Sequence, residues 1–412
     1  MPSLAGTFVT HNNTFSGRVD YNPDTGLIER VDTALGQADI VYDDNCLIFP
    51  GFIDIHVHAR EDAGGSQNYK EDFASASLAA LHGGVTHICD MPNNPVPPVT
   101  DAAYRRKEAL TRKADVGVTL YGGIGPGTRP LSFTVPYKAY MGPSVGDLFF
   151  ETPAQLEETI RHYEGRFVSF HVEDPALLKE HAQADTHEAR RPVAAETIAM
   201  EFALYLIETY RLHGKICHLS TGDGLRQITA ARARGVDVTC EVTPHHLFFD
   251  QAGLTEKNHL WLQMNPPLRP PADREALLAG LRSGAIDYLA TDHAPHTRAE
   301  KKAGTSGVPL LDTYGHFAGW LIKERGVDAQ TIARVCAYEP GRFVNHFTEQ
   351  KMGQITPGYA ASFTVLDMST PTTITNEQVR SKAAWTPFAG MTLPVTVRQT
   401  IVNGRVYDPS EI

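Results

Sequence analysis

The sequence predicts an α/β protein, a (β/α)₈ barrel joined to a small β-domain built from both chain ends. Three observations support this class. Apolar, strand-like runs alternate with helical stretches through the middle of the chain, and several of those helical stretches end in Gly just before the next run. The two ends show short alternating runs with turn signals instead. Repeated helix, Gly and strand indicate βα units around a parallel sheet.

The barrel prediction depends on eight strand-like runs. Eight parallel strands over about 300 residues are typical of this barrel. One unit is weak, because residues 122–134 are rich in Gly and Pro and show no obvious helix. By pattern alone an open, doubly wound sheet also fits. The runs lie at 47–58, 86–91, 116–121, 135–140, 167–171, 215–219, 237–241 and 288–292.

The chain ends predict a second, smaller unit. Residues 7–43 and 353–408 alternate in hydrophobicity and carry turn sequences such as Asn403-Gly404. Such runs are typical of antiparallel strands joined by tight turns. We therefore expect residues 1–48 and 350–412 to form one small β-domain, and residues 49–349 to form the barrel.

Composition narrows the function. The chain has 412 residues, 42% hydrophobic and 21% charged, as in an ordinary soluble enzyme. A net charge of −11 without a basic run argues against a nucleic-acid surface. No apolar stretch is long enough for a membrane span or resembles a signal peptide, and the five Cys are scattered. We expect a cytoplasmic protein with a small-molecule substrate, one that can be anionic where a local Arg overrides the net charge.

A His-X-His pair lies in the first barrel run. Residues two apart on a strand face the same side, so His56 and His58 can share one metal ion. Arg60 follows in the same phase and offers a planar fork for a carboxylate. A His-X-His pair also occurs on half-buried strands that bind no metal. The residues at the ends of the other strands distinguish a metal site from a purely structural His pair.

Five of the proposed strands carry a possible metal ligand near their C-terminal ends, where barrel enzymes place their active sites. Each one has a structural alternative, since a strand-end His can simply hydrogen-bond and a Lys can extend along apolar surface. A purely structural role does not readily explain possible ligands at equivalent positions on five strands. The pattern therefore predicts a metal centre. The residues are His56, His58, Lys138, His171, His218 and Asp292.

From about residue 45 to the C-terminus the chain resembles the dihydroorotases of the amidohydrolase superfamily. The resemblance is carried by several short motifs that are specific when taken together. They are His56-Val57-His58-Ala59-Arg60, Lys70-Glu71-Asp72-Phe73, Met91-Pro92-Asn93-Asn94-Pro95, Lys138-Ala139-Tyr140, Thr243-Pro244-His245-His246-Leu247, Asn265-Pro266-Pro267-Leu268-Arg269 and Asp292-His293-Ala294-Pro295-His296.

The resemblance implies two Zn²⁺ ions bridged by an N-carboxylated lysine. It also implies reversible closure of N-carbamoyl-L-aspartate to L-dihydroorotate in de novo pyrimidine biosynthesis, with Asp292 as the catalytic proton carrier. In this family a homodimer is common, although no interface is visible in the sequence. The implied ligands are His56, His58 and Asp292 for one zinc, His171 and His218 for the other, and Lys138 between them.

The resemblance also assigns substrate-binding residues. Arg60 and Asn93 match readers of the free carboxylate, and Asn265 and His296 match contacts to the pyrimidine ring or carboxylate. Each Asn lies beside Pro, where Asn commonly forms turns, and His296 can cap a loop. Residues 142–146 are short and Gly-rich, as in loops that close over substrate.

Two alternatives stay open. Hydantoinases, dihydropyrimidinases and allantoinases share the metal ligands, but their substrates mostly lack the free carboxylate and have less need of Arg60. A catalytically inactive homologue acting as a partner protein typically loses ligands, whereas this chain has every one.

The chain also departs from the family at residues 61–66, where the loop is longer and lacks Pro, and at residues 307–313.

Overall fold

The structure is a computed structural model that describes residues 1–34, 36–143 and 147–412. The loop expected to close over substrate includes residues 144–146, which lie outside the described residues, so its closure stays a prediction. Within the described ranges, no helix is both long enough and apolar enough to cross a membrane.

The strands are short, and the helices follow the barrel strands in alternation. The strands are β1 (Ser3–Val9), β2 (Thr14–Asn22), β3 (Leu27–Asp32), β4 (Ile40–Val41), β5 (Cys46–Pro50), β6 (Phe52–Val57), β7 (Val85–Asp90), β8 (Gly117–Leu120), β9 (Gly122–Ile124), β10 (Tyr137–Tyr140), β11 (Phe167–His171), β12 (His213–Ile216), β13 (Val238–Val242), β14 (Tyr288–Leu289), β15 (Phe363–Asp367), β16 (Thr372–Thr373), β17 (Thr392–Leu393), β18 (Thr396–Val402) and β19 (Arg405–Tyr407). The helices are α1 (Phe73–His82), α2 (Asp101–Glu108), α3 (Pro153–Ile160), α4 (Pro175–Glu180), α5 (His187–Arg190), α6 (Val193–Thr209), α7 (Gly222–Ala233), α8 (Pro244–Phe248), α9 (Pro271–Ser283), α10 (Arg298–Lys302), α11 (Tyr314–Arg325), α12 (Ala329–Ala333) and α13 (Glu339–Val344).

The barrel is built from parallel pairs. Strands β6, β7 and β8 pair in order, and β9 to β14 pair in order. A parallel bridge between Val57 and His293 joins the first strand to the segment after the last. The predicted (β/α)₈ class is therefore confirmed.

The third barrel strand is divided into β8 and β9 at Tyr121. This side chain is buried and its hydroxyl donates to the Ile55 carbonyl at 3.1 Å, which ties the break to the first strand. The sequence patterns did not indicate β9. Residues 122–134 contain no helix, as their composition predicted, and all of them belong to the described part of the chain.

The predicted single strand at 47–58 is wrong in one respect, because the chain changes sheets at Gly51. Strand β5 pairs with β1 and β15 in the terminal sheet, whereas β6 pairs with β7 in the barrel. A side chain at Gly51 would collide with Thr86, so only Gly permits this close crossing. A continuous apolar run cannot reveal such a break, since both halves are buried.

The two chain ends form one sheet, as predicted. Its order is β19-β18-β15-β5-β1-β2-β3, with mostly antiparallel pairs and parallel pairs between β1 and both β4 and β5. Residues from both ends share an apolar core, including Phe8, Val19, Ile48 and Phe363. Burial of these side chains against one another joins the ends of the chain.

Candidate metal centre and substrate cavity

Two imidazoles and one carboxylate converge at the C-terminal ends of the barrel strands. Nε2 of His56 and Nε2 of His58 each lie 3.1 Å from Oδ1 of Asp292, and all three residues are buried. A ligand atom from each lies within 4.8 Å of the other two. Nitrogen and oxygen donors at this spacing suit Zn²⁺ and related cations.

A second pair of imidazoles adjoins this group. Nδ1 of His171 lies 2.8 Å from Nε2 of His218, and the His218 ring centroid is 5.3 Å from that of His56. Nδ1 of His218 is buried and has no hydrogen-bond partner among the described residues. The two groups therefore form one continuous cluster of candidate metal ligands, called the metal cluster below.

Lys138 lies fully buried beside these imidazoles. Its Nζ has no hydrogen-bond partner in the described part of the chain and lies 5.2 Å from the centre of the Tyr140 ring. A buried ammonium without a partner is costly, typically by several kcal/mol. Carboxylation of this amine would supply two anionic oxygens, so the donor set fits a centre that holds two cations with Lys138 between them.

Three of the four imidazoles are oriented by a further polar side chain. Nδ1 of His58 contacts Oδ1 of Asn93 at 2.7 Å, and Nε2 of His171 contacts Oε2 of Glu173 at 2.8 Å. Nδ1 of His56 contacts Oε1 of Glu241. Partners of this kind set the tautomer and direction of a metal-binding imidazole.

Three residues of the site have positive φ although none is Gly. They are Arg60 at 62°, His218 at 34° and Asp292 at 48°. Such conformations cost about 1–3 kcal/mol each and cluster at functional sites. They also correct the sequence argument for Arg60, because β6 ends at Val57 and strand alternation does not extend to it. Arg60 enters the cavity through its left-handed backbone, a turn that strand periodicity does not reveal.

The Arg60 guanidinium is buried at the edge of the metal cluster. Its Nη2 lies 3.2 Å from Nε2 of His296, and its Nε has no hydrogen-bond partner among the described residues. Burial, followed by the charges of Arg60 and Lys70, lowers the pKa of His296. His296 is therefore neutral near pH 7, and its Nε2 can accept from the Arg60 N–H.

Burial also controls protonation at the metal cluster. It lowers the pKa of both His56 and His58 well below the ordinary value, and it raises the pKa of Asp292 to about 7. The imidazoles are consequently neutral, as metal ligands must be. A divalent cation bound among them would favour the ionised form of Asp292.

The sequence-predicted residues meet around one cavity with an empty volume of about 360 Å³. Lys138 and His296 do not line it, but they lie against residues that do. Asn265 faces the cavity, and its Oδ1 has no partner within the described ranges. The lining residues are His56, His58, Arg60, Asn93, Tyr140, His171, His218, Asn265, Asp292, Ala294, Ser306 and Gly307.

Sequence reasoning missed several residues of the site. Tyr140 had a usable signal, because it is two residues after Lys138 on β10 and faces the same way. Its buried hydroxyl has no partner among the described residues. Glu241 was also within reach, since it lies near the C-terminal end of the seventh barrel strand. Ser306 and Gly307 lie outside the regular elements. Gly307 begins the segment at 307–313 that departs from the family pattern, whereas no pattern indicated Ser306.

The unusual loop at residues 61–66 is held in place by its acidic side chains. Asp62 accepts from the Gly64 amide at 2.7 Å and from the Val96 amide at 2.8 Å, and Glu61 pairs with Lys113 at 2.7 Å. The loop is thereby fixed to the segment that follows β7. With this departure from the expected family pattern, Arg60 still lines the cavity.

Comparison with known proteins identifies the class to which this fold and site belong. The model of the amidohydrolase family matches residues 47–407, so the chain belongs to the amidohydrolase family. It is therefore an enzyme of that family, with buried His and Asp side chains positioned as a candidate metal site.

Among known relatives, the chain is similar to two dihydroorotases. It is 31% identical to dihydroorotase from Pyrococcus furiosus over 98% of this chain and 91% of that one. It is 33% identical to dihydroorotase from Listeria welshimeri over 89% of this chain and 88% of that one. Among solved structures, L-hydantoinase (dihydropyrimidinase) from Arthrobacter aurescens shares the fold, with a TM-score of 0.89, 24% identity and coverage of 98% and 95%.

Proposed function

We propose that the protein is a zinc-dependent dihydroorotase, which interconverts N-carbamoyl-L-aspartate and L-dihydroorotate in pyrimidine biosynthesis. The observation that carries the proposal is the Arg60 guanidinium, which is buried at the same cavity as the metal cluster and has no carboxylate within ion-pair distance among the described residues. A desolvated Arg in this position suits an anionic ligand. Dihydroorotate carries a carboxylate beside its ring amide, whereas hydantoin and dihydrouracil are uncharged.

The remaining substrate contacts follow from the cavity. Arg60, Asn93 and His296 surround the place proposed for the carboxylate, and contacts within 3.2 Å connect Arg60 to His296 and Asn93 to His58. Asn265 is proposed to bind the ring, because its side-chain oxygen is buried without a partner among the described residues and faces the same cavity. The similarity to dihydroorotases supports this choice of substrate.

The proposed metal centre uses every ligand that the sequence indicated. Carboxylation of Lys138 would join Nζ of the neutral amine to the carbon of CO₂ and release one proton. The resulting carbamate would offer two anionic oxygens as ligands. We assign His56, His58 and Asp292 to one zinc, His171 and His218 to the other, and carboxylated Lys138 to both.

The chain's own residues then perform positioning and proton transfer. When bound, zinc supplies an activated water and polarises the amide carbonyl. Asp292 would take a proton from the attacking water, whose oxygen bonds to the carbonyl carbon, and would deliver it to the ring nitrogen as the C–N bond breaks. Arg60 holds the carboxylate so that the ring carbonyl faces the metal cluster. Ring closure converts a carboxylate into an amide carbonyl with release of water and uptake of one proton, so low pH favours dihydroorotate.

A pair of substrates tests the proposal, because dihydrouracil differs from dihydroorotate only by lacking the carboxylate. The wild-type enzyme should prefer L-dihydroorotate in kcat/KM. Arg60→Lys should raise the KM for dihydroorotate about 10- to 100-fold, since a point charge cannot replace the planar fork, and should leave dihydrouracil kinetics unchanged. Exposed Arg106→Lys serves as the matched control.

Three results would reject this proposal. Turnover of dihydrouracil, hydantoin or allantoin without turnover of dihydroorotate would assign the enzyme to the uncharged cyclic amides. An unchanged KM for dihydroorotate in Arg60→Lys would remove Arg60 from the carboxylate site. Absence of turnover together with less than one zinc per chain would favour an inactive partner protein.

A further inference from the structure

The carboxylate of Glu241 contacts ligands from both halves of the proposed metal centre. Its Oε1 contacts Nδ1 of His56 and accepts a hydrogen bond from the backbone amide of His218 at 3.1 Å. Glu241 lies on β13 and is completely buried. One carboxylate oxygen therefore connects the first barrel strand to the segment that follows the sixth.

The second carboxylate oxygen is held by a buried lysine. Nζ of Lys215 donates to Oε2 of Glu241 at 2.5 Å, and both side chains are inaccessible to solvent. Lys215 also lies over two aromatic rings, 5.4 Å from the centre of Tyr121 and 5.6 Å from that of Phe343. These contacts fix the ammonium in a single position at the base of the barrel interior.

The orientation of the His56 ring follows from this pairing. An ionised carboxylate only accepts, so Nδ1 of His56 carries the hydrogen and Nε2 keeps its lone pair. That Nε2 is the atom that faces Asp292 at 3.1 Å. Burial disfavours the Lys215 ammonium, but Glu241 outweighs this effect and raises the pKa of Lys215 well above its ordinary value. Lys215 thus keeps its proton and its contact with Oε2 of Glu241.

We infer that Lys215 is a positioning residue for the metal centre, which acts through Glu241 to hold His56 and His218 in the geometry that binds zinc. The inference rests on the metal site proposed above. Lys215 itself touches neither the substrate cavity nor a proposed ligand. Without its ammonium, the second oxygen of Glu241 loses the contact that fixes it, and the carboxylate can turn away from His56.

Zinc affinity measured on the metal-free protein tests this inference directly. The dissociation constant is obtained by competition with a chromophoric chelator, and no turnover is needed. Lys215→Met should raise it about 10- to 100-fold, as expected for loss of a group that orients a ligand. Lys215→Arg should recover most of the affinity, because a guanidinium can still pair with Glu241. The visible spectrum of bound Co²⁺ should change in Lys215→Met and be restored in Lys215→Arg.

Arg232→Met, on helix α7, provides a matched control that contacts the same strand. Arg232 pairs with Asp287, which accepts from the backbone amide of Cys240 next to Glu241. This variant loosens β13 without touching the Glu241 side chain, so its zinc affinity should equal that of the wild type. Equal losses in Arg232→Met and Lys215→Met would reduce Lys215 to a general structural role and overturn the inference.

Lys215→Met can fail to fold, because it leaves a lone buried carboxylate, which is strongly destabilising. A double variant then keeps the inference testable. Lys215→Met/Glu241→Gln removes both charges and should fold, yet still bind zinc at least 10-fold more weakly than the wild type. A dissociation constant within twofold of the wild type, in either variant, would contradict the inference. If the wild type itself binds no zinc, the proposed metal centre fails first.

Discussion

Lys138 illustrates how a residue's surroundings sharpen an expectation from sequence. Sequence position placed it at the end of the fourth barrel strand, and resemblance implied a bridging role. The structure adds that Nζ is fully buried and has no hydrogen-bond partner among the described residues. Because an isolated buried ammonium is unfavourable, this burial supports the carboxylation proposed for Lys138.

Replacement of Lys138 tests this interpretation. Lys138→Ala should reduce bound zinc to at most one ion per chain and lower kcat roughly 1000-fold, since an activated water and carbonyl polarisation together contribute several kcal/mol. Metal content by atomic emission and steady-state rates would be measured on the same preparation. The exposed Lys257→Ala variant is the control and should match the wild type. Full activity with two zinc ions in Lys138→Ala would show that another group bridges them.

At the residue scale, the sequence predicted which candidate ligands lie together better than it predicted the residues that orient them. His56, His58, His171, His218 and Asp292 all lie in the cluster because strand ends in a barrel share one face. Positive φ at three site residues could not be inferred, since it arises from turns imposed by tertiary packing.

At the scale of elements, α10 connects two segments of the cavity wall. Its Lys301 is buried, and Nζ donates to the Gln263 carbonyl at 2.9 Å and to the Thr305 carbonyl at 2.8 Å. These contacts lie close in sequence to Asn265 and to Ser306, which both line the cavity. Helix α10 begins with a capping box between Thr297 and Glu300, so its short length is supported by end contacts.

The buried Lys301 predicts a pH dependence of stability. Burial lowers its pKa to about 7 from an ordinary value of 10.5. Between these pH values the unfolded chain binds a proton that the folded chain has released, so the free energy of unfolding should gain a contribution that rises with pH. The slope is at most about 1.4 kcal/mol per pH unit.

Urea unfolding between pH 7 and 9 measures this contribution. Lys301→Met should remove it, so that stability rises less with pH than in the wild type, whereas exposed Lys302→Met should keep the wild-type slope. The same slope in Lys301→Met and the wild type would mean that Lys301 is protonated in the folded protein throughout this range.

Two barrel strands show how well sequence patterns locate the ends of an element. The run at 167–171 matches β11, because a short buried strand flanked by turns has clear limits. The run at 288–292 extends beyond β14, which ends at Leu289. Residues 290–292 continue the pattern of apolar or small side chains, but they leave the strand geometry, and Asp292 joins the metal cluster. Where functional residues leave the strand geometry, the sequence pattern therefore does not show where the strand ends.

At the scale of the whole molecule, the barrel brings residues from positions 56 to 307 around one cavity. The repeated βα pattern predicted that closure in outline. The terminal sheet was also predictable, but the change of sheets at Gly51 was not, because it depends on a contact with Thr86. Sequence patterns report local periodicity, and such crossings are fixed by distant parts of the chain.

We propose that the metal cluster and Arg60 act together on one anionic substrate. The most direct measurement is the initial rate at which the zinc-loaded enzyme closes N-carbamoyl-L-aspartate near pH 6, beside its rates with dihydrouracil, hydantoin and allantoin. We expect L-dihydroorotate to form at a rate that falls as the pH rises, with little or no turnover of the uncharged amides. Turnover of an uncharged amide without closure of N-carbamoyl-L-aspartate would contradict the claim.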